Sequence, residues 1–169
     1  GPVEELRAAL GLPSPPRTIE GFDISNTGGE ESVGSLVVFR DGRPDKDAYR
    51  KFLIRTVEGS NDAASLEEVI TRRYRKLLDE QAPLPDLVMV DGGKPQLGAA
   101  EKALTALGLS QLPLVAIAKR EEILHTPARR DGIRLAGECQ RERLHQRPVL
   151  LPPLRVDPWH RQFALPQSG

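Results

Sequence analysis

Residues 87–94 read Leu87-Val88-Met89-Val90-Asp91-Gly92-Gly93-Lys94, a short apolar run followed by an aspartate, two glycines and a lysine. A continuous apolar run of this length predicts a strand that is buried on both faces. The two glycines predict a turn, and the apolar residues at helical spacing between Leu97 and Leu107 predict a helix that ends at Gly108. A strand, a tight turn and a helix in this order are typical of an α/β domain with parallel strands.

The segments on both sides of this stretch extend the α/β pattern. Three strands are predicted upstream, at Ile19–Ser25, Ser32–Arg40 and Tyr49–Thr56. Asp41-Gly42 predicts a hairpin turn, and Asn61 or Asp62 is predicted to cap a helix with apolar residues at helical spacing. Leu114–Ala118 is predicted to be a further buried strand. The order β-β-β-α-β-α-β predicts a mixed sheet, with an antiparallel meander followed by two helical crossovers.

Both ends of the chain lie outside this pattern. Gly1-Pro2 is typical of the remnant of a removed tag, and Val3–Leu12 predicts a short helix before the linker Pro13-Ser14-Pro15-Pro16. Past Lys119 the sequence loses its period, and residues 127–169 carry six prolines but no helix that the pattern alone can place. We therefore expect three parts: an N-terminal segment over residues 1–16, one α/β domain over residues 17–165, and a tail over residues 166–169.

The composition narrows the class of protein. The chain has 169 residues with 24 basic and 24 acidic side chains, so its formal net charge is zero. Zero net charge argues mildly against a nucleic-acid coat protein. The sequence contains neither a signal peptide nor a run near the roughly 20 apolar residues that span a bilayer. The lone Cys139 excludes an internal disulfide and a cysteine-based zinc site, so we expect a cytoplasmic protein without membrane contact.

Two aspartates stand within or directly after apolar strands. Asp23 lies in the middle of the first predicted strand, and Asp91 follows the apolar run 87–90. A turn or a helix cap accounts for Asp91 alone, but a carboxylate inside an apolar strand is unfavourable unless it is paired or binds a metal. If the two strands are neighbours, their aspartate oxygens suit Mg²⁺ or Mn²⁺. Such a site can activate water against a phosphodiester.

The remaining polar motifs have a structural explanation beside a functional one. Gly92-Gly93-Lys94 is able to cradle a phosphate at a helix N-terminus, although a plain strand–turn–helix junction explains it about as well. The basic run Arg72-Arg73-Tyr74-Arg75-Lys76 fits either phosphate contacts or a solvated helix face. Histidines at positions 125, 145 and 160 are candidates for proton transfer, and a single histidine is more often a surface or packing residue.

Several blocks of sequence, taken together and in order, carry a family resemblance. The blocks are Phe22-Asp23-Ile24-Ser25, Tyr49-Arg50-Lys51-Phe52, Thr71-Arg72-Arg73-Tyr74-Arg75, Asp91-Gly92-Gly93-Lys94-Pro95-Gln96-Leu97 and Ala118-Lys119-Arg120-Glu121-Glu122. Over roughly residues 17–126 the chain resembles the C-terminal half of the UvrC family, a component of the UvrABC excinuclease. The block from Asp91 to Leu97 is highly specific.

The resemblance implies an RNase H-like fold, a mixed five-stranded sheet flanked by helices. It also implies a metal-dependent endonuclease that cuts DNA on the 5′ side of a lesion in bacterial nucleotide excision repair. The family's catalytic Asp–Asp–His set falls on Asp23, Asp91 and His160, and a further carboxylate falls on or near Asp62. Asp23 and Asp91 would hold Mg²⁺ or Mn²⁺. Four basic residues are expected to hold the DNA backbone: Lys94, Lys119, Arg72 and Arg73.

The resemblance also sets expectations for partners. Damaged double-stranded DNA is the expected substrate, and UvrB is the expected partner in the full assembly, although its binding segment is absent from this sequence. We expect a monomer. The sequence departs from the family around His160, where Pro158 and Trp159 precede the histidine, and at Asn26, where the family commonly has histidine. Two alternatives therefore stay open: an RNase H-fold module that binds DNA or a partner without cutting, and a protein that binds a small phosphate ligand through Gly92-Gly93-Lys94.

Overall fold

The computed structural model describes residues 2–27, 31–57 and 61–134. Eight strands lie within these ranges: β1 (Thr18–Thr27), β2 (Glu31–Arg40), β3 (Arg43–Pro44), β4 (Arg50–Leu53), β5 (Leu87–Asp91), β6 (Leu114–Ala118), β7 (Ile123–His125) and β8 (Ile133–Arg134). The helices within them are α1 (Pro2–Leu10), α2 (Asp62–Asp79) and α3 (Lys94–Ala106), with a single 3₁₀ turn at Lys46–Ala48. None of the helices in the described ranges is long and apolar enough to cross a membrane.

The described strands form one mixed sheet in the order β3-β2-β1-β5-β6-β7-β8, with β4 also paired to β2. β1 pairs antiparallel with β2 and parallel with β5, and β5 pairs parallel with β6. The strands β4, β2, β1, β5 and β6 form the five-stranded RNase H-like core that the sequence predicts. β1 lies at its centre, between the antiparallel and the parallel halves of the sheet.

The sheet is larger than predicted because three short strands extend it. β3 continues the hairpin after β2, and β7 and β8 add two antiparallel strands beside β6. Strands of two and three residues are too short to show a sequence period, so the pattern past Lys119 predicts neither β7 nor β8. Gly132 permits the turn before β8, since its φ is +100° and a Cβ there would overlap Ile123.

Hydrophobic side chains cover both faces of the sheet, because successive residues of a strand point to opposite faces. One face packs under α2 and α3, through residues that include Phe22, Val38, Val69, Tyr74, Val90 and Leu97. The other face carries Leu6, Ile19, Val37, Phe39, Leu87, Met89, Val115, Ile117 and Leu124. Each of these larger side chains contributes roughly 1.5–3 kcal/mol when buried. The helix α1 is therefore anchored to the second face by Leu6, which is 1% exposed.

Two local predictions from sequence are confirmed. Asp41 and Gly42 both have positive φ, and the pairing of Arg40 with Arg43 makes them the two-residue turn of a hairpin. Asn61 caps α2, since its side chain accepts a hydrogen bond from the Ala64 amide at 3.0 Å. Such a cap typically stabilises a helix by about 1 kcal/mol.

Candidate active site

Asp23 and Asp91 lie side by side at the centre of the sheet. The parallel register of β1 and β5 pairs Phe22 with Val90, and the two aspartates are the next residues on each strand. Strand alternation places Asp23 on the face that carries Ile19 and Asp91 on the face that carries Met89, which is the same face. The two carboxyl groups contact each other through a hydrogen bond. The sheet therefore brings together the two carboxylates that the sequence predicts for a metal site.

The protonation of Asp23 responds strongly to this setting. Burial raises the pKa of Asp23 to about 7 from an ordinary value of 3.8, and the charge of Asp91 and the hydrogen bond with Asp91 add to the rise. The positive charge of Lys119 and a backbone hydrogen bond with Ile24 act in the opposite direction. Two carboxylates forced together in a half-buried position favour either a shared proton or a bound cation.

Lys119 supplies a positive charge to this pair. It follows β6 directly, and its Nζ lies 3.3 Å from Oδ2 of Asp91, with both side chains about one-quarter exposed. The sequence predicts only DNA contact for Lys119, because the order of the strands does not give the register of β6 against β5. The register of these strands places Lys119 one residue past the Ala118 end of β6, next to Asp91. Contact of Lys119 with DNA stays a prediction.

Asp62 lies at the N-terminus of α2 and is tied to β1 by another residue. Nδ2 of Asn26 donates a hydrogen bond to Oδ1 of Asp62 at 3.1 Å, and the hydroxyl of Ser32 donates to Oδ1 of Asn26 at 2.5 Å. Within residues 2–27, 31–57 and 61–134, no third His, Cys, Asp or Glu joins Asp23 and Asp91 in a cluster that could hold a metal. Asp62 therefore contacts β1 through Asn26 but lies outside the Asp23–Asp91 pair, and its catalytic role stays a prediction.

The backbone amides of the Gly92-Gly93-Lys94 turn donate hydrogen bonds within the protein. The amide of Gly92 donates to the carbonyl of Ile117 at 2.9 Å, and the amide of Gly93 donates to Oε1 of Gln96 at 3.0 Å. A phosphate cradle would need these two amides, so the geometry favours the plain strand–turn–helix junction. The Nζ of Lys94 lies 2.6 Å from Oδ1 of Asp131, and both side chains are mostly exposed. Lys94 thus remains accessible from solvent, and its contact with DNA stays a prediction.

Arg72 and Arg73 point in different directions from α2. Arg73 donates through Nε and Nη2 to the two carboxylate oxygens of Glu20, at 3.2 and 3.0 Å, and Tyr74 donates its hydroxyl to Glu20 at 3.0 Å. Arg72 donates to the Leu53 carbonyl at 2.7 Å. The sequence pattern does not reveal the buried Glu20 network, although a glutamate in an apolar strand is the same signal that marks Asp23. DNA contact by either arginine stays a prediction.

Of the three histidines, His125 is the one that lies within the described residues. His125 is buried in β7, where its Nδ1 is 2.7 Å from the carbonyl of Arg130, so it has a packing role. His160, the predicted third catalytic residue, lies outside the described residues, and so does His145.

Comparison with known proteins shows the family of this chain. The family model for the UvrC RNAse H endonuclease domain matches residues 7–151. The chain belongs to this family. UvrABC system protein C of Gemmatimonas aurantiaca is 51% identical over 134 residues, which are 79% of this chain and 22% of that protein. UvrABC system protein C of Solibacter usitatus is 52% identical over 128 residues, which are 76% of this chain and 20% of that protein.

This UvrC-family chain thus spans about a fifth of the length of these two relatives. Among solved structures, endonuclease V of Ciona intestinalis in complex with a 24mer DNA is 19% identical, with a TM-score of 0.48 over 78% of this chain and 56% of that one.

The donor set of this UvrC-family domain fits a divalent cation. Asp23 and Asp91 offer hard oxygen ligands on adjacent strands, and their mutual repulsion and burial are what a bound cation would relieve. Mg²⁺ keeps several water ligands and is commonly held by only one or two carboxylates, so the Asp23–Asp91 pair is sufficient.

Proposed function

We propose that this domain is a metal-dependent DNA endonuclease that makes the 5′ incision beside a lesion in nucleotide excision repair. The observation that supports the proposal is the direct contact between the carboxyl groups of Asp23 and Asp91 on adjacent parallel strands, where burial raises the pKa of Asp23 to about 7. Family membership supports the nuclease class. A carboxylate pair of this kind has no stabilising role in the fold, because it places two like charges together in a half-buried position.

Asp23 and Asp91 would hold Mg²⁺ or Mn²⁺ between them. When bound, such an ion supplies a water of lowered pKa and stabilises the charge that develops on the phosphate. The protein's own contribution is to hold the two carboxyl groups side by side on neighbouring strands. Lys119, whose Nζ lies 3.3 Å from Oδ2 of Asp91, adds a positive charge at the site.

The other groups position the substrate. Lys94 stands at the start of α3 directly after the turn that follows Asp91, and its ammonium group is exposed enough to bind a phosphate of the DNA. Contacts to phosphates rather than to bases suit a repair nuclease, because it must accept any sequence around a lesion. In this mechanism His160 is the candidate general acid that protonates the leaving 3′ oxygen.

A nicking assay on a damaged duplex tests the proposal. With Mg²⁺ or Mn²⁺ present, Asp23→Ala and Asp91→Ala should each reduce the nicking rate by at least about 1,000-fold, because each removes one of the two metal ligands. Asp79→Asn is the matched control, since it removes an exposed carboxylate at the far end of α2. It should cut at the rate of the unchanged chain.

Three outcomes of this assay would contradict the proposal in whole or in part. Equal cutting by the Asp23→Ala variant and the unchanged chain would remove Asp23 from the mechanism. Metal titration that gives DNA binding but no nick from the unchanged chain at any metal concentration would instead favour the alternative of a binding module. A nick on the 3′ side of the lesion would leave the nuclease class intact but overturn the 5′ assignment.

The cellular setting is part of the same proposal. The substrate would be damaged double-stranded DNA in the cytoplasm, with UvrB as a partner in the complete assembly. The relatives that carry the UvrABC system name support this setting, and this chain spans about a fifth of their length. Zero net charge predicts weak, salt-sensitive DNA binding by this domain alone. A partner that delivers the domain to a lesion would compensate for that weakness.

A further inference from the structure

A groove of about 510 Å³ lies beside α2, between this helix and the segment that follows β4. Its lining runs from Ala64 in the first turn of α2 to Arg75 three turns later. At 1.5 Å per residue this is about 16 Å of helix. The groove begins at the end of α2 that Asp62 and Asn26 tie to β1, and it leads away from that end. The groove therefore starts near the carboxyl end of β1, the strand that carries Asp23, and this end of the sheet is the catalytic edge of the proposed nuclease.

Glu68 builds the wall of this groove. Its carboxylate accepts hydrogen bonds from the amides of Arg55 and Thr56, at 2.8 and 2.6 Å, and from the hydroxyl of Thr56. The Glu68 side chain is only 8% exposed. Burial alone would raise the pKa of Glu68, but these hydrogen bonds and that from Arg72 outweigh it and hold the pKa below its ordinary value. The negative charge of Glu68 is thus used inside the wall.

Positive charge prevails on the surface of the groove. Arg72 lies over the ring of Phe52, with 5.4 Å from its guanidinium carbon to the ring centre, and both of its hydrogen bonds use Nη1. A guanidinium carries five N–H donors, so Nε and Nη2 are left to bind an oxyanion. Glu67, the other acid of the groove, pairs with Lys102 of α3 at 3.5 Å. Within the part of the chain that the structure describes, the guanidinium groups of Arg55 and Arg75 have neither an ion pair nor a hydrogen bond.

Helix geometry selects the arginines that share the groove. Arg72 and Arg75 are three residues apart and lie on one face of α2, whereas Arg73 is turned by about 100° and binds the buried Glu20. Arg55 lines the same groove from the segment that follows β4. Three guanidinium groups therefore line one open channel, and each is a planar donor suited to bidentate phosphate contacts.

We propose that the groove of Arg55, Arg72 and Arg75 binds the phosphodiester backbone of the DNA that extends from the catalytic edge. This proposal rests on the proposed function, since it assumes that the ligand at that edge is DNA. A length of about 16 Å corresponds to roughly five nucleotides of one strand at 3.4 Å each. An acidic peptide is the competing occupant, but three arginines along about 16 Å of open groove are better matched to a backbone with regularly spaced charges.

Binding is measured without cutting, by fluorescence anisotropy of a labelled 24-base-pair duplex in EDTA at about 0.1 M salt. Arg55→Gln/Arg75→Gln should weaken binding about tenfold and reduce the slope of log affinity against log salt by about 1.8, at about 0.9 per phosphate contact. Arg17→Gln/Arg43→Gln is the matched control, because it removes two exposed charges next to the start of β1 and the end of β2. This end of the sheet is opposite to the one that carries Asn26. The control variant should weaken binding less than threefold. Arg75→Lys should retain most of the affinity.

Three results would overturn this proposal. Equal losses by the two double variants would show that only net charge matters. A groove variant that loses affinity for a poly-glutamate peptide but not for DNA would assign the groove to a protein partner. Loss of folding would be detected by circular dichroism; the two single variants then decide in the same assay, and unchanged DNA affinity in both would exclude the groove.

The assay also separates this proposal from the nuclease proposal. Asp23→Ala should keep DNA binding and lose nicking, whereas the groove variant should keep its nicking rate at saturating DNA and need more DNA to reach it. If the unchanged chain does not nick, the nuclease proposal fails, and the anisotropy comparison still decides whether the groove binds DNA.

Discussion

Two carboxylates on β1, three residues apart, have opposite surroundings. Glu20 points towards α2, where Arg73 and Tyr74 bind both of its oxygens and leave its side chain 5% exposed. Asp23 points to the other face of the sheet, where its nearest ionisable neighbour is a second carboxylate, that of Asp91. One acid is fully paired inside the fold, and the other is left in a repulsive pair.

The difference shows which acid serves the fold and which serves the site. A buried acid with complete partners locks its neighbours, and burial and Glu20 also raise the pKa of Tyr74 well above its ordinary value, so its hydroxyl stays a donor. An acid whose pKa is raised by burial and by a like charge makes the metal-free protein less stable at neutral pH. Natural domains tolerate such a cost where a ligand removes it, which is why we assign Asp23 to the metal site.

The largest expected effect on stability comes from removing the charge of Glu20. Glu20→Gln leaves the guanidinium of Arg73 buried without a counter-ion, and this should lower the free energy of unfolding by about 3 kcal/mol. Urea denaturation at pH 8 measures the change. Glu121→Gln, in an exposed turn, should change it by less than about 0.5 kcal/mol. A loss under about 1 kcal/mol for Glu20→Gln would show that the hydrogen bonds of Glu20 with Arg73 and Tyr74 contribute little to the stability of the fold.

Removal of the Asp23 carboxylate is expected to stabilise the metal-free protein, whereas removal of the Glu20 charge destabilises it. The folded protein holds its proton to about pH 7 and the unfolded chain releases it near 3.8, so the metal-free protein should lose stability as pH rises through this window. Asp23→Asn should abolish that fall and should raise the free energy of unfolding at pH 8 by roughly 2 kcal/mol, after allowance for partial exposure. Denaturation in EDTA from pH 4 to pH 8 tests this, with Asp79→Asn as the control that keeps the fall. A pH-independent stability of the unchanged protein would contradict it.

The smallest expected change in the free energy of unfolding comes from Lys119, which forms an ion pair with Asp91. Lys119→Met removes the charge that opposes the rise in the pKa of Asp23, so the fall in stability should extend to higher pH. At pH 8 we expect a loss of about 1 kcal/mol, because the pair is about one-quarter exposed. Lys102→Met breaks a more exposed pair with Glu67 and should cost less than about 0.5 kcal/mol. Equal losses of stability in Lys119→Met and Lys102→Met would show that Lys119 has no special effect on the Asp23–Asp91 pair.

Local signals in the sequence are sufficient for much of the fold. The Asp41-Gly42 hairpin and the Asn61 cap depend on a few adjacent residues, so both can be predicted. The predicted strand over Tyr49–Thr56 is too long, because the amides of Arg55 and Thr56 bind Glu68 instead of β2, to which Ile54 still donates its amide. That contact joins residues 12 and 13 positions apart and leaves no local signal.

The order of the core elements, the family and the two candidate aspartates follow from the sequence, because periodicity, turn residues and short motifs depend on residues that are close together in the chain. The contacts of Asp91 with Asp23 and Lys119, and the different partners of Arg72 and Arg73, are seen in the folded structure alone. These facts depend on strand register and on the rotation of α2 over the sheet. Both are set by how the two faces of the sheet pack, through contacts between residues far apart in the chain.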